Sequence, residues 1–569
     1  MNRKLKSIIY ILFATVNLFA QSGWNEVWNL QQVPFQQENA VSEYAKVIAG
    51  FDTDNDGFGE FITGYTDFID SNYIFMYEAT GDNSYEMVWY FKFPYECDSW
   101  FGAAVGDLDN DGISEIVLGL PTKTTILSNP PRIFVFEWNE VQGENKYGKE
   151  QTDGSFLPSS TTRFDVEDNM EWFPYSMKIE DVDKDNKNEL VLGIRSGSRG
   201  REVLIASVSG DFSFFPIWNV EYNFKNEEGG SNFATVTGDL DNDGQTDIVE
   251  VVWNFFTLRF FESTGANTYE HVNDLEQLYL DQGIDYGSVD AAIIVDANND
   301  GKNELFIAGA DDAGIDRHIF LIQNISDIST ITAKDVVEFY YVPKNKRPND
   351  VPLESGLRNM VVGDPDNDGN LNFLICGAES GQIYDLEYSG EGDLADSSNW
   401  NLTVIYDSFI EAQKELSADS AAQLSPRHYY GSLADDMDGD GLSEYVFCNY
   451  STDKHIWPND IYISILEADR ATDVKLTNSI LPEVINLDQN YPNPFNPSII
   501  IRYSLPTSGM TKIYLYDILG REIMILVDEF KSVGNYEIKV NAEYLSNGIY
   551  FYRIISGHYS ETKKMIVVK

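Results

Sequence analysis

The sequence predicts an all-β protein in two parts, a β-propeller built from repeated blades and a small antiparallel β-sandwich after it. Aromatic residues make up 14% of the 569 residues, and aromatic side chains favour the half-buried surface of strands. One acidic segment recurs seven times at spacings that suit a four-stranded blade. Near Pro482 the composition changes, and strand-like runs separated by turn residues follow.

The first twenty residues have the pattern of a secretory signal peptide, residues 1–20. Arg3, Lys4 and Lys6 precede an apolar run at 8–19. This run is shorter than the about 20 residues that a membrane-spanning helix needs. Because no other stretch is long and apolar enough, we expect an exported mature chain without a membrane span.

The charge balance excludes two classes of partner. The chain has 39 basic and 92 acidic residues, a net charge of −53, so we expect it to repel nucleic acid and anionic membrane surfaces. The three cysteines form no disulfide framework, and the five histidines show no zinc or nucleophile–base spacing. The excess carboxylates are either a solvated surface or cation ligands.

Each acidic segment places oxygen-bearing side chains at positions 1, 3, 5 and 9, counted from its first aspartate, and Gly or Asn at position 6. Side chains so spaced converge when the chain curls around an ion, and the carbonyl of residue 7 adds a ligand. The candidate ligands, loop by loop, are Asp52, Asp54, Asp56, Phe58 and Glu60; Asp107, Asp109, Asp111, Ile113 and Glu115; Asp181, Asp183, Asp185, Lys187 and Glu189; Asp239, Asp241, Asp243, Gln245 and Asp247; Asp296, Asn298, Asp300, Lys302 and Glu304; Asp364, Asp366, Asp368, Asn370 and Asn372; and Asp436, Asp438, Asp440, Leu442 and Glu444.

Calcium, in up to seven sites, is the ion that this all-oxygen set predicts. Acidic surface turns are the alternative for a single loop, but two carboxylates about 5 Å apart repel by roughly 3 kcal/mol at a dielectric near 20. An EF-hand is excluded because position 12 is Thr63 or Leu118 rather than Glu, and because the flanks are strand-like.

Three loops depart from the pattern. The third has Asn186 at position 6, and Asn tolerates the left-handed backbone that a sharp turn needs. The fifth has the neutral ligand Asn298 at position 3. The sixth has Asn372 at position 9 and Pro365 at position 2, so we expect its site to be the weakest.

Phe101-Gly102 before the second loop and residues 119–121 after it resemble the FG-GAP repeat of integrin α-subunit propellers and their bacterial relatives. The resemblance covers roughly residues 30–470 and implies a seven-bladed propeller in which each loop joins the first two strands of a blade. We expect this propeller domain to comprise residues 24–475. A small residue follows position 9 by four places in every repeat except the fourth, which suggests crowding within a blade. Two of these residues are Cys376 and Cys448, which we expect to be small buried apolar residues, like Cys97.

Residues 490–569, after a linker at 476–489, are expected to form the sandwich, with strand-like runs at 499–505, 512–516 and 549–555. The segments at 491–497, 515–521, 547–551 and 563–569 resemble the C-terminal sorting domain of the type IX secretion system of Bacteroidota. The resemblance implies the secretion machinery as a partner, and a secreted or surface location.

We therefore expect a non-enzymatic surface or secreted scaffold for binding or adhesion, whose ligand is an unknown protein or glycan. One alternative is a polysaccharide-active enzyme, because propellers of similar repeat type occur among calcium-dependent lyases; nothing in the sequence singles out a base. Another is a passive structural component of the cell surface. Polar segments at 140–170, 343–356 and 389–425 are expected to be loops. Six tryptophans in the repeats are core residues or sugar-stacking residues: Trp89, Trp172, Trp218, Trp253, Trp400 and Trp457.

Overall fold

The computed structural model describes residues 23–568, apart from 32–33, 36–45, 67–71, 96–99, 122–129, 165–171, 197–199, 227–231, 253–255, 277, 279–288, 310–316, 354, 451–460, 469–485, 491–492, 494–497, 506–508, 532–533, 542–544, 546 and 557–558. The expected signal peptide lies outside these residues. The described elements are mostly β-strands, so the predicted all-β class is confirmed. The chain divides into two compact units, one of Ser22–Asp473 and one that contains Val474–Lys569.

Within the described residues, the first unit contains seven four-stranded antiparallel sheets, numbered here 1 to 7 by the acidic loop that each carries. Strand β1, Trp24–Leu30, belongs to sheet 7. Sheet 1 contains β2 Val47–Phe51, β3 Glu60–Thr66, β4 Asn72–Gly81 and β5 Ser84–Lys92; sheet 2 contains β6 Gly102–Gly106, β7 Glu115–Gly119, β8 Ile133–Glu137 and, after a small hairpin of β9 Lys149–Glu150 and β10 Phe156–Leu157, β11 Ser160–Thr162; sheet 3 contains β12 Trp172–Glu180, β13 Glu189–Ser196, β14 Gly200–Ser209 and β15 Ile217–Asn226.

Sheets 4 to 7 repeat the arrangement. Sheet 4 contains β16 Asn232–Gly238, β17 Asp247–Val252, β18 Thr257–Gly265 and β19 Thr268–Leu275; sheet 5 contains β20 Val289–Val295, β21 Glu304–Gly309, β22 His318–Ile322 and, after the 3-10 helix Ile328–Thr330, β23 Val337–Tyr341; sheet 6 contains β24 Met360–Gly363, β25 Asn372–Cys376, β26 Gln382–Tyr388 and, after the 3-10 helix Ser397–Asn399, β27 Trp400–Asp407; helices α1 Ser408–Gln413 and α2 Ala418–Ala421 lead to sheet 7, with β28 Arg427–Ala434, β29 Glu444–Tyr450 and β30 Ile463–Ala468.

The sheets close into a ring. The first strand of each sheet contacts the first strand of the next, from β2 through β6, β12, β16, β20 and β24 to β28, and β28 contacts β2. The early strand β1 pairs antiparallel with β30 and completes sheet 7. Sheet 7 therefore combines a strand from the beginning of this unit with strands from its end, and no sheet is left incomplete where the ring closes.

The core of this unit lies between neighbouring sheets. Each of the seven neighbouring pairs shares its own cluster of buried apolar side chains. A Cβ added to Gly64 would lie 2.3 Å from the ring of Phe101, and one added to Gly193 would lie 2.3 Å from Oγ1 of Thr235, each on the next sheet. The same added atoms would lie 3.0 Å from Cδ1 of Ile74 and from Cβ of Ser176, each in the glycine's own sheet. The glycines are therefore crowded within their sheets, as expected, and more closely by the next sheet.

Two of the three segments expected to be loops contain strands. Residues 140–170 form β9, β10 and β11, and residues 389–425 form β27 and both α-helices. β11 and β27 are the outermost strands of their sheets. Outer strands have a free edge in water and carry polar residues, so their composition is close to that of loops.

The second unit contains two antiparallel sheets in its described residues. One has β31 Asn486–Leu487, β32 Ser498–Leu505 and β35 Gly534–Asn541; the other has β33 Gly509–Tyr516, β34 Glu522–Lys531, β36 Gly548–Ser556 and β37 Tyr559–Val567. The three predicted strand runs fall in β32, β33 and β36. Side chains of both sheets share one buried core, which makes the unit a sandwich. The predicted linker is wrong at its end, because Leu487 is fully buried in this core.

Candidate metal sites

All seven acidic segments join the first strand of a sheet to the second. In sheet 1, Asp52 follows the end of β2 and Glu60 begins β3; the other six loops have the same placement. Since the first strands form the centre of the ring, the seven loops lie at one end of it.

The loops share one backbone conformation. Position 6 has a positive φ in every loop, including 92° at Gly112 and 69° at Asn186, so the third loop makes the turn that its Asn was expected to allow. Position 4 also has a positive φ in every loop, for example 63° at Asn110 and 60° at Lys184. Sequence reasoning missed this second turn position, although the Asn that most loops carry there was a signal for it.

Hydrogen bonds orient the carboxylates at positions 1 and 5. In every loop Oδ2 of position 1 accepts a hydrogen bond from the backbone N–H of position 6, at 2.8–3.1 Å. Oδ1 of position 5 accepts one from the N–H of position 7, at 2.7–3.0 Å. The loops with Asn186, Asn298 and Asn372 therefore keep these two hydrogen bonds. At position 9 the sixth loop differs, because Pro365 has no N–H to donate and Asn372 donates to the carboxylate of Asp385.

The residue at position 9 is buried in every loop, with at most 3% of its surface exposed. In the second loop, Oε2 of Glu115 accepts a hydrogen bond from the N–H of Leu108 at 2.7 Å, while the buried Oε1 has no hydrogen-bond partner. Asp247 and Glu444 show the same division between their two oxygens. A buried acceptor without a partner is costly, and a cation in the loop would satisfy it.

In several loops the carboxylate groups lie close to one another. One oxygen from each of the four acids of the second loop lies within 4.8 Å of the others, and the same holds for the seventh loop and for Asp52, Asp54 and Glu60 of the first. Burial, with the charges of Asp109, Asp107 and Asp111, raises the pKa of Glu115 to about 9. These clusters can hold metal ions, because a cation offsets both the burial and the mutual repulsion of the acids.

A second set of acids was missed from the sequence. Five glutamates on the third strands lie directly across the sheet from position 9: Glu78, Glu137, Glu262, Glu387 and Glu467. Glu78 groups with Asp54 and Asp56, and Glu137 groups with Asp111 and with Asp211 of the next sheet. Only the pairing register of the strands brings these residues to the loops, and no local motif marks them.

In several loops, the aspartate at position 3 accepts a hydrogen bond from the backbone of the next sheet. Oδ2 of Asp109 accepts a hydrogen bond from the N–H of Phe212 at 2.9 Å, in the turn between the third and fourth strands of sheet 3. Asp241 accepts one from Ile328 of sheet 5 at 3.0 Å, and Asp438 accepts one from Asn83 of sheet 1 at 2.6 Å. The loops therefore also connect neighbouring sheets.

The cysteines in the described residues are packing residues. Cys376 and Cys448 are fully buried, and burial raises the pKa of Cys376 to about 12. Sγ of Cys376 lies 3.3 Å from the Tyr445 hydroxyl on the neighbouring sheet. Cys97 lies outside the described residues.

We expect neither buried thiol to react with a thiol reagent in the native protein, because a reagent needs an accessible thiolate. In a Cys97→Ser variant, Ellman's reagent should give no fast absorbance change until denaturant is added, when both thiols react. A fast reaction of the native variant would contradict the packing role.

The tryptophans divide into core and surface residues. Trp89, Trp172 and Trp400 are buried in the clusters between sheets, whereas Trp253 and Trp457 lie outside the described residues. Trp218 lines a cavity of about 570 Å³ with Phe164, Arg163 and the exposed Val220. Among the described tryptophans of this set, Trp218 is therefore the one that remains a candidate for sugar stacking.

One serine and one histidine lie as close together as a catalytic nucleophile and its general base. Oγ of Ser408 lies 2.8 Å from Nε2 of His428. His428 is fully buried, and burial lowers its pKa to about 4. A substrate cannot reach this pair in the structure described here.

The fold and the sites define a class: an all-β protein with a ring of four-stranded sheets, repeated acidic clusters able to hold metal ions, and a β-sandwich in the second unit. Residues 489–568 match the family model of the secretion system C-terminal sorting domain. The predicted sorting domain is confirmed, and it directs the chain by type IX secretion to the cell surface or the extracellular space. No helix in the described part of the chain is long and apolar enough to cross a membrane.

No curated protein matches the chain in sequence. Among solved structures, the chain is similar to BBS1N in its complex with ARL6DN, with a TM-score of 0.40 and 8% identity over 80% of this chain and 99% of that one. It is also similar to the Dos1 propeller, with a TM-score of 0.38 and 10% identity over 75% and 78% of the two chains. A third is PorZ of Porphyromonas gingivalis, a surface component of the type IX secretion system, with a TM-score of 0.35 and 13% identity over 92% of this chain and 59% of that one.

Proposed function

We propose that this chain is an exported, calcium-binding, seven-bladed β-propeller that acts without catalysis as a surface or secreted scaffold for a protein or glycan ligand. The observation that carries the calcium assignment is the buried, partnerless oxygen at position 9 of Glu115, Asp247 and Glu444. Each faces a loop whose other donors are carboxylates. An all-oxygen, carboxylate-rich shell is the set that Ca²⁺ prefers.

The ring supports the blade count and the FG-GAP assignment. Seven four-stranded sheets each contribute a first strand to the centre, and each neighbouring pair shares an apolar cluster. In the second repeat, Phe101 packs where Gly64 of the preceding sheet has no side chain. Both features fit blades of the integrin α type.

The scaffold role is supported by secretion and by surface aromatic residues. The cavity beside Trp218 lies at the outer strands of sheets 2 and 3, and it combines aromatic rings with the hydroxyls of Thr161 and Thr162. Aromatic faces beside hydroxyl groups suit a sugar ring, which has both C–H faces and hydroxyls. A glycan is therefore one ligand class that this surface fits.

The number of calcium ions bound per chain tests the calcium-binding part of the proposal. We expect the mature chain, equilibrated with millimolar calcium and then analysed by elemental mass spectrometry, to retain up to seven ions per chain. Glu115→Gln should retain one ion fewer, because it removes a charged ligand from one loop. Glu150→Gln, at an exposed glutamate on β9, is the matched control and should lose none; an equal loss in both variants, or no bound calcium, would contradict the proposal.

Glycan arrays combined with an activity screen on pectins and other uronates test the other part of the proposal, which is ligand binding without catalysis. A binding signal without turnover supports the scaffold. Turnover would instead support the polysaccharide-active alternative. The absence of both glycan and protein ligands on the displayed protein would support a passive structural role.

A further inference from the structure

Sheets 7 and 1 meet at the acidic end of the ring, where the chain closes on itself. The turn between β4 and β5 of sheet 1 reaches the seventh acidic loop, because the N–H of Asn83 donates to Oδ2 of Asp438 at 2.6 Å. In the carboxylate cluster of this loop Asp438 is buried and Asp440 is exposed, so a small ion can enter from solvent. We call this place the closing junction; besides the seventh loop it contains Glu467 of β30, and Asp82, Asn83 and Tyr85 of the β4–β5 hairpin.

Glu467 adds a carboxylate with an unsatisfied oxygen. It lies on β30 directly across the sheet from Glu444, the acid at position 9, and it is 8% exposed. Its Oε2 is buried and has no hydrogen-bond partner among the described residues. Burial, with the charges of Asp440 and Asp438, raises the pKa of Glu467 to about 7. Because a buried acceptor without a donor is costly, we expect a cation beside it.

The equivalent glutamates of sheets 1 and 2 show how close such a residue comes to its loop. Oxygens of Glu78 and Asp56 lie within 4.8 Å of each other, and so do oxygens of Glu137 and Asp111. Both aspartates occupy position 5, as Asp440 does in the seventh loop. Since all three glutamates lie across from position 9, the shared register places Glu467 beside Asp440.

Sheet 1 contributes two more unsatisfied groups. Oδ1 of Asn83 and the hydroxyl of Tyr85 are buried and have no hydrogen-bond partner within the described part of the chain. Tyr85 is 6% exposed, and burial, with the charge of Glu444, raises the pKa of its hydroxyl well above the ordinary value. The amide nitrogen of Asn83 donates to Asp82, at 2.6 Å, and to Glu467. The amide oxygen is therefore the end of Asn83 that is left for a ligand.

At the junction of sheets 1 and 2, by contrast, N–H donors satisfy the matching acids. Nδ2 of Asn145 donates to Asp54 at 3.1 Å and to Glu78 at 2.7 Å. Nζ of Lys146, the next residue, lies 3.1 Å from Glu144. An amide and an ammonium group thus take the place of a cation there.

The closing junction has the same hairpin pattern, Gly-x-Asn-x-Tyr, but not the same charges. Ser84 stands where the other hairpin has its lysine, and no lysine or arginine of the described residues forms an ion pair with Asp82 or Glu467. With the four acids of the loop, six carboxylates meet here. One calcium ion in the loop balances two of these charges, and the remaining repulsion favours a second cation.

We propose that the closing junction binds a second calcium ion beside the ion of the seventh loop, between the carboxylates of Asp440 and Glu467 and the amide oxygen of Asn83. Carboxylate and amide oxygens are ligands that Ca²⁺ prefers, with water in its remaining positions, and the Tyr85 hydroxyl can donate to such a water. The inference rests on the proposed calcium-binding function and adds one ion to the seven loops. Because its ligands come from sheets 7 and 1, this ion joins the two sheets at which the ring closes.

The test counts calcium ions in the full mature chain by elemental mass spectrometry, after equilibration with millimolar calcium and removal of unbound ions. We expect Glu467→Gln to retain one ion fewer than the wild type, because only the junction loses a charged ligand. Glu444→Gln should lose the loop ion, and the variant with both substitutions should lose two. Glu86→Gln, at an exposed glutamate of β5 in the same hairpin, is the matched control and should lose none.

Two results of this count would overturn the inference. One is an undiminished count in Glu467→Gln. The other is the loss of a single ion by the variant with both substitutions, which would make Glu467 a ligand of the loop ion.

Thermal melts of the same variants separate ion binding from folding. In excess EGTA at about pH 8, where Glu467 is largely ionised, Glu467→Gln should melt at or above the wild type, because it removes a buried charge from among like charges. In calcium it should melt below the wild type, because it has lost an ion that binds the folded chain. An equal loss of Tm in both conditions would assign Glu467 a structural role and overturn the inference.

The ion counts also distinguish this inference from the proposed function. If the wild type retains no calcium, the calcium-binding function fails and the second ion fails with it. If Glu115→Gln loses an ion and Glu467→Gln loses none, the loops bind calcium and only the second ion is wrong.

Discussion

Removal of calcium is expected to lower the Tm of the ring of sheets by about 20 °C. At free calcium of 100 times the Kd, one filled site adds about 2.7 kcal/mol to the free energy of unfolding, and seven such sites add about 19 kcal/mol. For a unit of the size of Ser22–Asp473, an unfolding entropy of about 2.1 cal/mol/K per residue converts this to a shift of that size.

The contacts of the loops explain why the loss of calcium should destabilise the whole ring. Without an ion, the buried oxygens of Glu115 and Glu444 keep no partner, and the acids around them repel one another. Asp109 and Asp438 also hold the next sheet through its backbone. Destabilising a loop therefore weakens a contact between sheets, which is where the apolar core lies.

Scanning calorimetry of the mature chain in calcium and in excess EGTA makes the measurement. The sandwich serves as an internal control, because the acidic loops all lie in the first unit, and its transition should not move. An unchanged melt of the ring in EGTA would contradict structural calcium. An equal shift of both transitions would indicate a general effect of the chelator.

The loops were predictable from the sequence because their chemistry is local. The ligands at positions 1 to 9 lie within one turn, so their spacing alone predicts that they converge, and the same turn is found even where Asn186 replaces Gly. The sorting domain was predictable for a similar reason, since its segments are short and distinctive.

What the sequence did not reveal depends on register and on ring closure. Glu78 reaches Glu60 only through the pairing of β3 and β4. The role of β1 depends on pairing with β30, whose residues are more than four hundred positions away. Lys46 meets Tyr430 because the ring brings sheet 7 back to sheet 1. Outer strands were missed because a polar edge strand has the composition of a loop.

In the metal-free protein, Tm is expected to fall as pH rises from about 5 to about 9. Burial raises the pKa of Glu60 and Glu115 to about 9, and that of Glu189, Asp247 and Glu444 to about 8. Between the ordinary pKa of a carboxyl group, near 4, and these values, the folded state binds more protons than the unfolded state. Stability therefore decreases with pH across this window.

Calcium should remove this dependence, because an ion in the loop favours the ionised carboxylates and its affinity rises as they lose protons. The Tm difference between calcium-loaded and metal-free protein is thus expected to widen with pH. Melts of extensively dialysed protein at pH 5 to 9, with and without added calcium, measure it, and dialysis avoids a chelator whose own affinity changes with pH. Glu115→Gln should flatten part of the metal-free slope, whereas Glu150→Gln should not. A metal-free Tm that rises with pH, or a calcium increment equal at both ends of the range, would show that these buried acids are not the calcium ligands.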